Sequence, residues 1–164
     1  MPADLSGKVV VLTGDADGTA RECALAYARQ EAELSPAIAP VKIAVGEHIP
    51  NRVLFKNFIH YGGVDFVQAD CTRLAGVSEI LTVSLMARKF GLQIVPHVGD
   101  MCQLHQHLVL FNHIAPGHGV VFLEYIPHLR EHFVFRAQVS GGFYKTPREP
   151  GASSDVILAG NEGY

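Results

Sequence analysis

The 164 residues hold only three cysteines, Cys23, Cys71 and Cys102, and no two of them form a C-x-x-C pair. That excludes a disulfide framework and points to a reducing compartment. A surplus of one charge is also missing. The formal net charge is −3, with lysines and arginines scattered, so neither a basic footprint for nucleic acid nor an acidic tail is present. No apolar run approaches the roughly 20 residues that span a bilayer. The opening stretch MPADLSGKVVVLTG sets Asp4 before a very short apolar run and has no small-residue cleavage site, so no signal peptide is expected. These absences leave a soluble, cytoplasmic globular protein without nucleic-acid or membrane partners as the expectation.

What is present is a regular alternation. Five short runs rich in β-branched residues, at 8–12, 41–45, 64–69, 92–95 and 120–125, read as strands buried on both faces. Helical patterns fall between them. Over 76–90, Val77, Leu81, Leu85 and Arg88 form a stripe with Ile80 beside it, and over 101–115 Met101, Leu104, Leu108, Phe111 and Ala115 form another. Residues 18–32 and 51–61 are further helix candidates. Strand, helix, strand at this spacing predicts βαβ units and a parallel sheet. Beyond Tyr125 the stretch GGFYKTPREPGASSD is rich in Gly, Pro and Ser and reads as a surface tail with one short strand at 134–139. A charged helix end running into Pro36 and Pro40 marks a seam.

The stretch IVPHVGDMCQLHQHL places three histidines within eleven positions. On a helix, His105 and His107 differ by about 200°, so they cannot chelate one ion between them. They read as bystanders. His97 lies just past the run 92–95, and in parallel α/β folds such strand ends line the active site. Glu47, Asp70 and Glu124 stand at corresponding places after or near the ends of three other strands. A carboxylate beside an imidazole fixes its tautomer and stabilises its protonated form, and Asp70 is the candidate partner of His97. Glu47 is a hard oxygen donor suited to Mg2+.

Four stretches carry a family likeness: VGEHIPNRVLFK, VQADCTRLAGVSE, VPHVGDMCQLHQHLVLFNHIA and FLEYIPHLREHF. From about 33 to 155 the sequence resembles the C-terminal part of acid-sugar dehydratases of the enolase superfamily, the mandelate racemase-like enzymes acting on L-galactonate or L-fuconate. The resemblance implies a (β/α)-barrel lyase with Mg2+-assisted removal of the proton α to a carboxylate, then loss of water to give a 2-keto-3-deoxy acid. It also implies roles: Glu47 as a metal carboxylate, His97 as the general acid, Asp70 as its partner, and Glu124 near the substrate carboxylate or intermediate. Cys102 stands where these enzymes carry glycine, and the ending VILAGNEGY departs from them. The family's Lys-x-Lys base motif does not occur in the 164 residues, nor do two further metal carboxylates on earlier strands. On its own the chain is expected to be inactive.

Residues 5–32 resemble the opening of a short-chain dehydrogenase/reductase, a strand running into a TGxxxGxG turn and a helix. Thr13, Gly14 and Gly18 match, and Ala20 replaces the last glycine. Asp15 and Asp17 oppose a pyrophosphate, and no Tyr-x-x-x-Lys pair is present.

The expected fold class is therefore α/β: parallel βα units forming a partial, half TIM-type barrel with one extra N-terminal unit. It divides into a Rossmann-like βα unit (1–32), the half barrel (33–133) and a tail (134–164). The expected function is a sugar-acid dehydratase domain with Mg2+ at Glu47, a small sugar acid as ligand, and homo-oligomers formed through exposed barrel edges. A non-catalytic chimeric α/β domain and an NAD(P)-binding relic are the alternatives.

Overall fold

The computed structural model describes residues 9–11, 39–98, 103–119 and 122–158, with backbone alone at 9–11. Four strands, β1 (Val9–Val11), β2 (Lys42–Val45), β3 (Phe66–Val67) and β4 (Gln93–Ile94), form one sheet. Their order is β1-β2-β3-β4 and every pairing is parallel, with Val10 opposite Ile43, Ala44 opposite Phe66 and Val67 opposite Ile94. Parallel strands that pair in chain order, as β2, β3 and β4 do, put their connecting helices on one side of the sheet when the crossovers have the usual right hand. That is barrel-type winding without closure: a partial barrel. The expected strand at 8–12 thus joins β2 as an added parallel strand, whereas the helix expected at 18–32 lies outside the described residues.

Helix α1 (Arg52–Tyr61) starts at Asn51, whose side chain accepts a hydrogen bond from the Leu54 N–H at 3.0 Å, a standard N-cap. It ends at Gly62, with φ 83. Its buried face is Leu54, Phe55, Phe58 and Ile59. Helix α2 (Val77–Lys89) buries Ile80, Val83, Ser84 and Ala87. Strand residues Val45, Val67 and Ile94 share one core with both helices.

The faces of two helices are turned from the expected stripes. In α2, Val77 and Leu85 are exposed, and the small Ser84 and Ala87 lie inward. Ser84 satisfies its buried hydroxyl on the Ile80 carbonyl at 2.8 Å, which makes a polar residue affordable on the inner face. Helix α3 (Leu104–Ile114) buries His105, Gln106, Leu108 and Asn112, a largely polar inner face.

The strand expected at 120–125 is corrected: the described part, from Phe122 on, carries no strand. Those residues lend side chains to the sheet instead of joining the ladder. Phe122, Leu123 and Glu124 line a cavity of about 310 Å³ with Ala44, Phe66, Gln68 and Val95, the residues on the side away from the helices. The short strand expected at 134–139 is corrected as well: residues 134–138 carry no strand, and only Val139 begins one. A short 3-10 turn (Pro127–His132) leads to an antiparallel hairpin, β5 (Val139–Ser140) with β6 (Phe143–Tyr144). No helix among the described residues is long and apolar enough to cross a membrane.

Candidate active site

The four candidate residues converge at the ends of β2, β3 and β4. Val67 and Ile94 are register partners, and the ladder continues through Val95 N–H to Val67 O at 2.8 Å and His97 N–H to Ala69 O at 3.1 Å. Asp70 and His97 each come three residues after that pair, so they arrive side by side. Glu47 follows β2 through Gly46. There φ is 142, and an added Cβ would lie 2.7 Å from Phe55 Cε1 and 2.8 Å from the Gln68 carbonyl oxygen. Only glycine lets the chain pass between α1 and β3 and deliver Glu47.

His97 is at the centre and buried, 7% exposed. Its Nδ1 is 2.9 Å from Asp70 Oδ2. Its Nε2 is 3.2 Å from Glu47 Oε1 and 3.2 Å from Glu124 Oε2. Glu124, although not on a strand, is held from two directions. Its Oε2 accepts from the Val98 N–H at 3.3 Å, and its carbonyl accepts from the Tyr144 hydroxyl at 2.8 Å. The hairpin therefore anchors the segment bearing the fourth residue, and Tyr125 packs edge-on against Tyr144.

Asp70 is ionised over the whole ordinary range. Burial alone raises its pKa, but the hydrogen bonds with the His97 imidazole and with Thr72 outweigh it and hold the carboxyl well below the usual carboxylate range. Oδ1 accepts from the Thr72 N–H at 2.8 Å and from its hydroxyl at 2.7 Å. Oδ2 is left for His97, with Arg73 Nε at 3.5 Å.

Three residues join the site that the sequence did not mark. Arg73 reaches both Asp70 and Glu47 (Nη2 to Oε1, 3.4 Å), and its Nη1 meets His48 Nδ1 at 2.7 Å. Its place three residues after Asp70 on the same turn was the available signal. His105, read as a bystander, is 1% exposed and lies 3.3 Å from Asp70. His107 is only partly buried.

Glu47 has the hard oxygen that magnesium prefers, but it is a single carboxylate whose Oε1 is shared by Arg73, His48 and His97. The donors gathered around Glu47 do not by themselves make a magnesium site. Elsewhere among the described residues, Asp70, Cys71 and His105 bring donor atoms within 4.8 Å of one another. The His105 Nε2 and Asp70 Oδ1 atoms of that group already accept protein hydrogen bonds.

The arrangement can hold a proton on one ring nitrogen while a carboxylate fixes the other, at the mouth of a parallel sheet. Comparison with known proteins gives the family of the chain. Residues 23–157 match the family described as enolase C-terminal domain-like. The chain belongs to that family. It is 40% identical over 118 residues to the L-galactonate dehydratase of Hypocrea jecorina, covering 71% of this chain and 26% of that protein. Its structure is similar to that of human mitochondrial enolase superfamily member 1, with TM-score 0.73 and 36% identity over 79% of this chain and 31% of that one. It also resembles L-talarate dehydratase from Polaromonas complexed with Mg and L-glucarate, with TM-score 0.65, 25% identity, and coverage of 81% and 34%. The chain thus spans about a third or less of the length of these relatives. The resemblance to acid-sugar dehydratases is borne out, and the family match begins at residue 23, ahead of the seam.

Proposed function

We propose that this chain supplies the acid-side half of a dehydratase site for an aldonate such as L-galactonate or L-fuconate, in the cytoplasm. The observation that carries the reading is the imidazole of His97, fixed at Nδ1 by Asp70 and flanked at Nε2 by Glu47 and Glu124. With Nδ1 hydrogen-bonded to an ionised carboxylate, Nε2 is the ring atom left to exchange a proton. His97, protonated at Nε2, gives that proton to the hydroxyl leaving C3. The C3–O bond breaks with its electron pair on oxygen, water departs, and the resulting enol rearranges to the 2-keto-3-deoxy acid. Asp70 stabilises the imidazolium before transfer and keeps the ring from turning. Glu124, less buried, faces the substrate carboxylate or intermediate.

Removal of the α-proton needs a base, and none of the 164 residues stands in a Lys-x-Lys motif. Magnesium at Glu47 likewise needs further carboxylates. Both belong on strands that complete the barrel over the open cavity formed by Ala44, Phe66, Gln68 and Val95. Exposed Phe122, at 72%, on that same side fits a chain that self-associates or receives those strands.

The test is complementation. The chain is co-expressed with the part of the Hypocrea jecorina dehydratase that it does not match, and 2-keto-3-deoxy acid is assayed from L-galactonate and L-fuconate with magnesium. Product is expected from the pair and not from the chain alone, and it is expected to vanish with His97→Ala. A pair that makes no product, or makes it equally well with His97→Ala, sinks the reading. Product from the chain alone would mean that the base lies within it.

A further inference from the structure

His105 has a geometry that a bystander does not need. Its Nδ1 lies 2.8 Å from the Val98 carbonyl oxygen, and its Nε2 lies 3.0 Å from the Cys71 backbone nitrogen. A carbonyl only accepts and an amide N–H only donates, so Nδ1 carries the proton and Nε2 the lone pair. The ring is neutral, in one defined tautomer. Cys71 is the residue after Asp70, and Val98 is the residue after His97. One buried imidazole on α3 therefore clamps the two loops that carry the pair.

Val98 is where a clamp is needed. Its φ is 42, a left-handed conformation that a β-branched residue rarely adopts. Its peptide is held at both ends, by the N–H on Glu124 and by the carbonyl on His105. The His105 lone pair also settles how the Asp70 carboxylate divides. An unprotonated Nε2 at 3.3 Å offers Oδ1 no hydrogen. Oδ1 therefore takes both Thr72 donors and Oδ2 remains for His97.

We propose that His105, as the neutral Nδ1–H tautomer, is a positioning residue that holds Asp70 and His97 in register by tying Cys71 to Val98. Its part in dehydration rests on the reading above, but the clamp itself does not, and it can be tested without substrate. The test is NMR on the full chain near neutral pH, following the histidine ring nitrogens and the far-downfield proton of the His97 Nδ1–H to Asp70 hydrogen bond. In the wild type, His105 is expected to show the Nδ1–H pattern. His105→Phe keeps a flat aromatic ring and loses both hydrogen bonds, and the downfield proton is expected to disappear while the fold persists. His105→Gln, whose carboxamide offers one donor and one acceptor, is expected to restore it. A His105 that is protonated or carries its proton on Nε2 in the wild type overturns the proposal, as does a downfield proton unchanged in His105→Phe. The wild-type pattern decides even if the Phe variant does not fold. Failure of complementation with this signature intact would remove the dehydratase reading and leave the clamp.

Discussion

The two sides of the sheet are built differently. On the helix side, Val45, Val67 and Ile94 meet Phe55, Phe58, Ile80 and Val83 in a dry core. On the other side, Ala44, Phe66, Gln68 and Val95 face a cavity covered in part by Phe122, Leu123 and Glu124, which add no strand to the ladder. The stability of the chain sits on the first side. Its site straddles the strand ends between them, with Glu47, Asp70 and His97 following the ladder and Glu124 on the irregular segment.

The largest expected effect is on the helix side. Phe55→Ala removes a side chain that is 1% exposed and should cost about 3–5 kcal/mol in denaturant unfolding, whereas Phe122→Ala should change stability by no more than about 0.5 kcal/mol. Equal costs for the two would erase the contrast. Next comes Asp70→Asn, which removes charge-assisted hydrogen bonds from His97 and Thr72 and should cost about 1.5–3 kcal/mol near neutral pH.

That variant also carries a pH signature. The folded-state pKa of Asp70 lies below that of an unfolded aspartate, about 3.9. Its contribution is thus fully present above that value and is lost as pH falls below it toward the folded pKa. Unfolding curves collected from pH 5 downward should show the wild type losing its advantage over Asp70→Asn, and a constant gap would contradict the assignment. The smallest effect belongs to Arg73→Ala. Its side chain is 41% exposed, so stability should move by about 1 kcal/mol or less, as judged by thermal unfolding in low and high salt.

Much of this was legible in the sequence. Helices expected at 51–61 and 76–90 appear at Arg52–Tyr61 and Val77–Lys89, the first of them capped locally by Asn51. Glu47, Asp70 and His97 meet because strand ends in a parallel sheet meet, whereas Glu124 arrives on an irregular segment held by Val98 and Tyr144. The faces of α2 and α3 were not legible, since small and polar residues point inward there and periodicity follows apolar residues only. His105 was missed for that reason. Its contact with the residue after Asp70 depends on the chain turning at Val98, a left-handed φ on a residue type that gives no sign of it. The run at 120–125 has the composition of a strand, but composition does not supply a ladder partner.

The chain-order pairing of the strands also makes the two ends of the sheet unequal for anyone wishing to alter this protein. Segments leaving the strands, 46–51, 68–76 and 95–98, carry the site, and an added residue there would shift a carboxylate or the imidazole out of reach. Segments entering the strands, 62–65 and 90–92, lie at the opposite end and carry none of it. A reporter loop or affinity tag inserted near Gly91, where φ is 71 and no atom lies within 4 Å of an added Cβ, would leave the site end of the sheet untouched.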